Sequence, residues 1–96
     1  MVHPNLENYT ITFSRESLKY LRTLEKRDSH RILKKVQELC TNVEHLDIKK
    51  LKSVQHNLYR LRVGSFRVVY MIEHDQVIVD IVRIGHRKEI YRSLQK

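Results

Sequence analysis

The sequence predicts an α+β domain: an N-terminal strand and an αα-hairpin packed on a mostly antiparallel four-stranded sheet, closed by a short C-terminal helix. Three observations carry this. Between Leu58 and Ile84, three stretches rich in Val, Ile, Tyr and Phe are separated by the short polar turns Gly64-Ser65 and His74-Asp75-Gln76, the pattern of strands joined by tight turns. Upstream, Leu, Ile and Val recur at helical spacing in two adjacent stretches. A single alternating stretch precedes both, so the helices are segregated to one side of a sheet.

Taken in order, residues 1–6, with Pro4, read as an irregular lead-in. Tyr9, Ile11 and Phe13 then alternate with Thr10, Thr12 and Ser14 as a first strand with one face toward the core. Ser14 is placed to cap the next helix, in which Leu18, Leu21 and Leu24 form a stripe while Arg15, Lys19, Arg22 and Lys26 point elsewhere. Lys26-Arg27-Asp28-Ser29 interrupts that stripe. Asp28 or Ser29 is expected to cap a second helix whose Ile32, Leu33, Val36, Leu39, Cys40 and Val43 face the core. Residues 44–57 read as a polar connection anchored by Leu46, Ile48, Leu51 and Val54 and carrying the basic cluster Lys49-Lys50-Leu51-Lys52.

The next stretch organises the chain. From Leu58 to Val63 a period of two sends Tyr59, Leu61 and Val63 to one face and Arg60 and Arg62 to the other. A two-residue loop with Gly first suits a type II′ turn, so residues 66–72, with Arg67, should return antiparallel. Residues 77–84 are nearly continuous Val and Ile, interrupted by Asp80 and Arg83, which predicts a mid-sheet strand buried on both faces. Gly85 ends it. Residues 86–91 lead into a final helical stretch that sets Arg87 and Tyr91 four residues apart, on one side of a helix.

Ninety-six residues suffice for one domain with one core and no stabilising disulfide or metal. A hydrophobic fraction of 41%, a charged fraction of 31%, two Gly and one Pro describe a compact chain without long linkers. The net charge of +8 favours a polyanionic partner: RNA, DNA, an acidic protein or an anionic membrane surface. Cys40 has no second cysteine to pair with, and no apolar run reaches the ~18 residues of a membrane span. The expectation is a cytoplasmic protein that does not enter the membrane.

The segments LRVGSFRVVY (residues 61–70) and VRIGHRKEIY (residues 82–91) resemble the RelE/ParE superfamily, the toxins of type II toxin-antitoxin pairs, and look closest to its RelE branch. The resemblance implies a β-α-α-β-β-β order and a small cytoplasmic ribonuclease that enters the ribosomal A site, cuts mRNA and is blocked by a cognate antitoxin. It also implies a site. Family members place basic residues at the positions of Arg67 and Arg87 and an aromatic at Tyr91. Arg60 and Arg62 stand where the best-known RelE pattern has two lysines, and His86 where that pattern can carry a Lys.

Metal-free RNA cleavage uses the ribose 2′-OH as nucleophile on the adjacent phosphate, leaving a cyclic phosphate and a free 5′-OH. Charge that builds on the phosphate oxygens suits the planar donor fork of arginine, the role expected of Arg67 and Arg87. Arg60 and Arg62 cannot exchange a proton near neutral pH, so they are expected to hold phosphates, with Lys50 and Lys52 extending the basic surface. His86 is the candidate acid or base, and Tyr91 stacks on a base or joins the proton relay. His3, His30, His45, His56 and His74 lack metal-ligand spacing, and no metal or cofactor is expected. Cys40 falls on an apolar stripe and reads as an inert core thiol. Two other readings share this fold: a ParE-like toxin that binds DNA gyrase, and a catalytically inactive RNA-binding homologue.

Overall fold

The computed structural model describes residues 3–52 and 57–90. The elements follow the order β1 (Thr10–Phe13), α1 (Arg15–Thr23), α2 (Lys26–Glu38), β2 (Asp47–Lys50), β3 (Leu58–Val63), β4 (Phe66–Glu73) and β5 (Ile78–His86). The α+β class is as expected, but the sheet has five strands rather than four, ordered β1-β5-β4-β3-β2. The added strand is β2, Asp-Ile-Lys-Lys, whose polar residues suit an edge and hide it from hydrophobic pattern reading. Only Ile48 of β2 is partly buried, packed against the core. β1 pairs parallel with β5, and every other pairing is antiparallel.

Ser14 caps α1 as expected: its Oγ accepts from the backbone N–H of Ser17 at 3.1 Å. The stripe on α1 is otherwise than its leucines suggest, since Leu18 is 41% exposed and the residue fully buried is Ser17. A two-residue link, Leu24-Glu25, joins α1 to α2. That second helix starts before Asp28 and Ser29, whose backbone N–H groups already donate to Glu25 O at 3.0 and 3.1 Å, and Glu25 makes no side-chain cap bond. Asp28 instead sits in the first turn, where a carboxylate favours the positive end of the helix dipole.

Ile32, Val36 and Leu39 bury their side chains against Tyr59, Leu61 and Val63 of β3, Val68, Tyr70 and Ile72 of β4, and Val79, Ile81 and Ile84 of β5. The lead-in is part of this structure rather than irregular: Leu6 is 2% exposed and belongs to the core. His3 Nδ1 lies 2.9 Å from Pro4 O and Nε2 lies 2.8 Å from the hydroxyl of the fully buried Tyr70. Since a carbonyl only accepts, Nδ1 carries the proton and Nε2 accepts from Tyr70, an arrangement that suits the neutral ring. Tyr59 stacks on Tyr70 with centroids 5.4 Å apart, and the buried Tyr70 hydroxyl has the partner that a buried phenol needs.

At the β3–β4 turn Gly64 has φ 58° while Ser65 stays out of the left-handed region, as a type II′ turn requires. The last strand runs over Ile78–His86 rather than 77–84. Val77, with φ 56°, belongs to the turn, and Gly85 pairs with Arg67 inside the strand. A β-bulge between the Val69↔Arg83 and Tyr70↔Ile81 pairs inserts Val82. Strict alternation from Val79 and Ile81 would bury Arg83; the extra residue shifts the phase, so Ile84 faces the core and Arg83 the opposite side. The N-terminus of α1 holds this bulge. Ser14 Oγ donates to Val82 O at 2.7 Å, Ser17 Oγ donates to Ile81 O at 3.1 Å, and Ser14 N–H donates to Ile81 O at 2.9 Å.

After β5 the chain turns, with Glu89 N–H donating to His86 O at 2.9 Å. Tyr91 and the expected C-terminal helix lie outside the described residues. Among those described, no helix is long and apolar enough to cross a membrane.

Two outcomes follow for stability. Ser17→Ala removes one of two donors to Ile81 O, which keeps the Ser14 N–H, and should cost ~0.5–1.5 kcal/mol, read as a lower urea midpoint with an unchanged slope. Burial holds the His3 ring below its ordinary pKa of 6.5, partly opposed by the bond to Pro4. The unfolded chain therefore protonates at higher pH than the folded one, so this contribution is complete above 6.5 and is lost as pH falls through the interval below it. Urea midpoints measured across that interval should fall with pH, and His3→Gln should flatten the slope; an unchanged slope would contradict the burial of His3.

Candidate functional site

The face of the sheet turned away from the helices collects the cations. Register aligns Asp47, Arg62, Arg67 and Gly85 in one row across β2, β3, β4 and β5. The adjacent row reads Lys49, Arg60, Val69 and Arg83. Residues directly opposite one another share a face, so Arg60, Arg62 and Arg67 come together as expected.

Arg67 is drawn toward the turn that precedes it: Nη1 donates to Gly64 O and to Phe66 O, each at 3.0 Å. Arg87 reaches the same end of the sheet through its backbone, since its N–H donates to Ser65 O at 2.9 Å, and its side chain is exposed. Arg60 Nη2 bonds Asp47 Oδ1 at 2.9 Å and Arg62 Nη1 lies 3.8 Å from Asp47 Oδ2, so one carboxylate serves two arginines. Arg62 and Asp47 are half-exposed, and such pairs are worth little in water. Asp47 thus orients the arginines more than it neutralises them.

The remaining expected residues are placed differently. Lys50 pairs with Tyr59, on the helix side of the sheet, and its Nζ lies 5.9 Å from the Tyr59 ring centroid. It is therefore separated from the arginines, and its neighbour Lys49 takes the place opposite Arg60. Lys52 is exposed beyond the end of β2. His86 pairs with Phe66, also on the helix side, with ring centroids 6.4 Å apart, and its Nδ1 is 3.4 Å from the backbone N–H of Lys88. It stands at the rim, across the strand end from Arg67. Tyr91 lies outside the described residues.

Sequence reading passed over Arg83 as an interruption in an apolar run. The signal that could have found it is the spacing itself, because Arg83 and Ile81 cannot both face a core. Ile90, 2% exposed, packs on Gly85: a Cβ on that glycine would meet Ile90 Cδ1 at 3.1 Å. Gly85 thus lets the turn after β5 close down on the arginine face.

No three His, Cys, Asp or Glu side chains gather as a metal site among the described residues. Burial pushes the Cys40 thiol up from its ordinary value, away from the reactive thiolate. Chemically, the face offers several guanidinium forks, suited to phosphate or carboxylate oxygens.

Comparison with known proteins gives a consistent picture. Residues 11–91 match the family model described as the ParE toxin of the type II toxin-antitoxin system parDE. A protein of Methanocaldococcus jannaschii that carries the provisional name toxin RelE1 is 31% identical over 88 residues, covering 88% of this chain and 97% of that one. Among solved structures, the archaeal RelE–RelB complex from Pyrococcus horikoshii OT3 aligns with a TM-score of 0.71 at 26% identity, covering 82% of this chain and 94% of that chain. The RelB–RelE antitoxin–toxin complex from Methanococcus jannaschii aligns with a TM-score of 0.66 at 30% identity, covering 85% and 96%.

Proposed function

Because the chain belongs to the RelE branch of the RelE/ParE superfamily, the toxins of type II toxin-antitoxin systems, we propose that it is a ribosome-dependent endoribonuclease. In this reading it enters the ribosomal A site in the cytoplasm and cuts mRNA by metal-independent attack of the 2′-OH on the adjacent phosphate. The observation that carries it is the gathering of Arg60, Arg62 and Arg67 on the sheet face away from the helices, with the Arg87 backbone tied to the turn at its end. Arg67 and Arg87 stabilise the charge that develops on the phosphate, an interaction stronger in the transition state than in the ground state. Arg60 and Arg62 hold the strand, and Lys52 extends the basic surface. Lys50, on the opposite face, has no part in this arrangement.

Proton transfer falls to His86 and Tyr91, since an arginine cannot exchange a proton near neutral pH. His86 at the rim serves if the substrate's 2′-OH or leaving oxygen reaches past the end of β5. The partner is a RelB-type antitoxin with acidic residues on an amphipathic segment, attracted by the +8 charge and covering or distorting the arginine face.

The ParE name of the matching family model favours a second reading, a toxin that binds DNA gyrase and performs no RNA chemistry. Both readings make the chain toxic without its antitoxin, so the site variants separate them from a catalytically inactive homologue. Arg67→Ala and Arg87→Ala should each abolish growth arrest on induced expression at equal soluble levels, with the fold intact. Full toxicity in both would overturn the assignment of this face. His86→Gln should lower single-turnover cleavage by ~10² or more and flatten one limb of the pH profile, with ribosome affinity unchanged. A larger loss in Tyr91→Phe moves the role to the tyrosine, and a merely fewfold loss in both leaves a site that works by positioning and electrostatics alone.

A further inference from the structure

We propose that Arg83 and Arg60 form a second phosphate seat directly behind Arg62 and Arg67, so that the sheet grips two successive phosphodiesters of one single strand. The inference rests on the RNA-binding reading of this face and goes beyond it, because it adds a residue and states the shortest ligand that fits.

Three observations converge. Arg60 and Arg83 flank Val69 in register, one on each neighbouring strand, with all three on the face away from the helices. Val69 is completely buried yet lies outside the helix-side core, so this face has an apolar floor of its own between the two arginines. The Nε atoms of Arg60 and Arg83 are the buried side-chain nitrogens that lack a hydrogen-bond partner among the described residues. With its side chain only 14% exposed, Arg60 lies down on the sheet.

A buried guanidinium N–H without an acceptor is a state that an incoming anion relieves. Asp47 takes Arg60 Nη2 and no more, and its carboxylate reaches Arg62 rather than Arg83. The other carboxylates on this face lie further from the turn: Asp80 accepts from Thr12 Oγ1 at 2.9 Å and pairs with Met71, and Glu73 pairs with Ile78. Among the described residues, Arg83 thus has Val69 rather than a carboxylate opposite it in the register.

Spacing supplies the substrate class. Two residues along a strand span ~6.7 Å, which is also the separation of successive phosphates in an extended polynucleotide. A phosphate at Arg62 and Arg67 therefore places its neighbour over Arg60 and Arg83. A mononucleotide fills one seat; a strand with two phosphodiesters fills both.

The test uses the full chain with 2′-O-methyl oligouridines, which lack the nucleophile and stay uncut: a dinucleotide with one phosphodiester and a trinucleotide with two. Wild type should bind the trinucleotide about fivefold or more tightly than the dinucleotide, and the Nε–H resonances of Arg60 and Arg83 should shift with the trinucleotide more than with the dinucleotide. Arg83→Gln should lose that advantage and reduce the salt slope of trinucleotide binding by about one, with dinucleotide binding retained. The proposal is overturned if Arg83→Gln keeps the advantage, or if the two Nε–H signals stay still while wild type binds; the wild-type signals decide the matter even if the variant misfolds. Binding of neither oligonucleotide would overturn the RNA-binding reading along with it.

Discussion

A one-residue slip of β4 against β5 would turn Val68, Tyr70 and Ile72 out of the core and bury Arg67 beneath the helices, so the pairing of these strands is the constraint from which core and cationic face both follow. The constraint is not uniform along the pair. Up to Ile81 the strand follows one phase and from Arg83 onward the other, with the bulge at Val82 between them. Ser14 and Ser17 meet the two carbonyls there, which joins the start of α1 to the point where the sheet changes phase. The core side gains Ile84, and the opposite side gains Arg83.

This explains how far the sequence could be read. The β3–β4 hairpin was legible because alternation is strict and the turn needs a glycine where Gly64 stands. The core stripe of α2 was legible because Ile32, Val36 and Leu39 keep helical spacing. In β5 the same logic failed: a phase shift in an apolar strand looks identical to burial on both faces, so Arg83 passed as an exception. Strand β2 escaped for the opposite reason, since an edge strand with one anchoring isoleucine carries almost no hydrophobic pattern. Lys50 was grouped with Lys49 by composition, whereas neighbouring residues on a strand point to opposite faces. His3 and Leu6 were read as a loose lead-in because their partners, Tyr70 and the core, lie far along the chain.

The electrostatics of the arginine face carry a cost that stability alone would not favour. Arg60, Arg62, Arg67 and Arg83 share one side of a three-strand patch with Asp47 as the carboxylate nearest them. Like charges at this density repel, and the arrangement persists because the strand pairing and the core beneath it hold the Cα positions regardless. That is the expected condition of a surface prepared for an anion. A polyanionic strand, or an acidic antitoxin segment, relieves the repulsion on arrival. The same charge that fits RNA chemistry therefore fits inhibition by a partner that occupies the face.

The central claim is that this face cuts RNA held by the ribosome, and the most direct measurement is mRNA end mapping in a purified translation system with the chain added in the presence of excess chelator for transition metals. The account predicts new 5′-hydroxyl ends at A-site codons of ribosome-bound mRNA, absent when Arg67 is replaced by Ala. Intact mRNA, together with inhibited gyrase supercoiling in a parallel assay, would contradict it and move the chain to the gyrase-binding branch of the same fold.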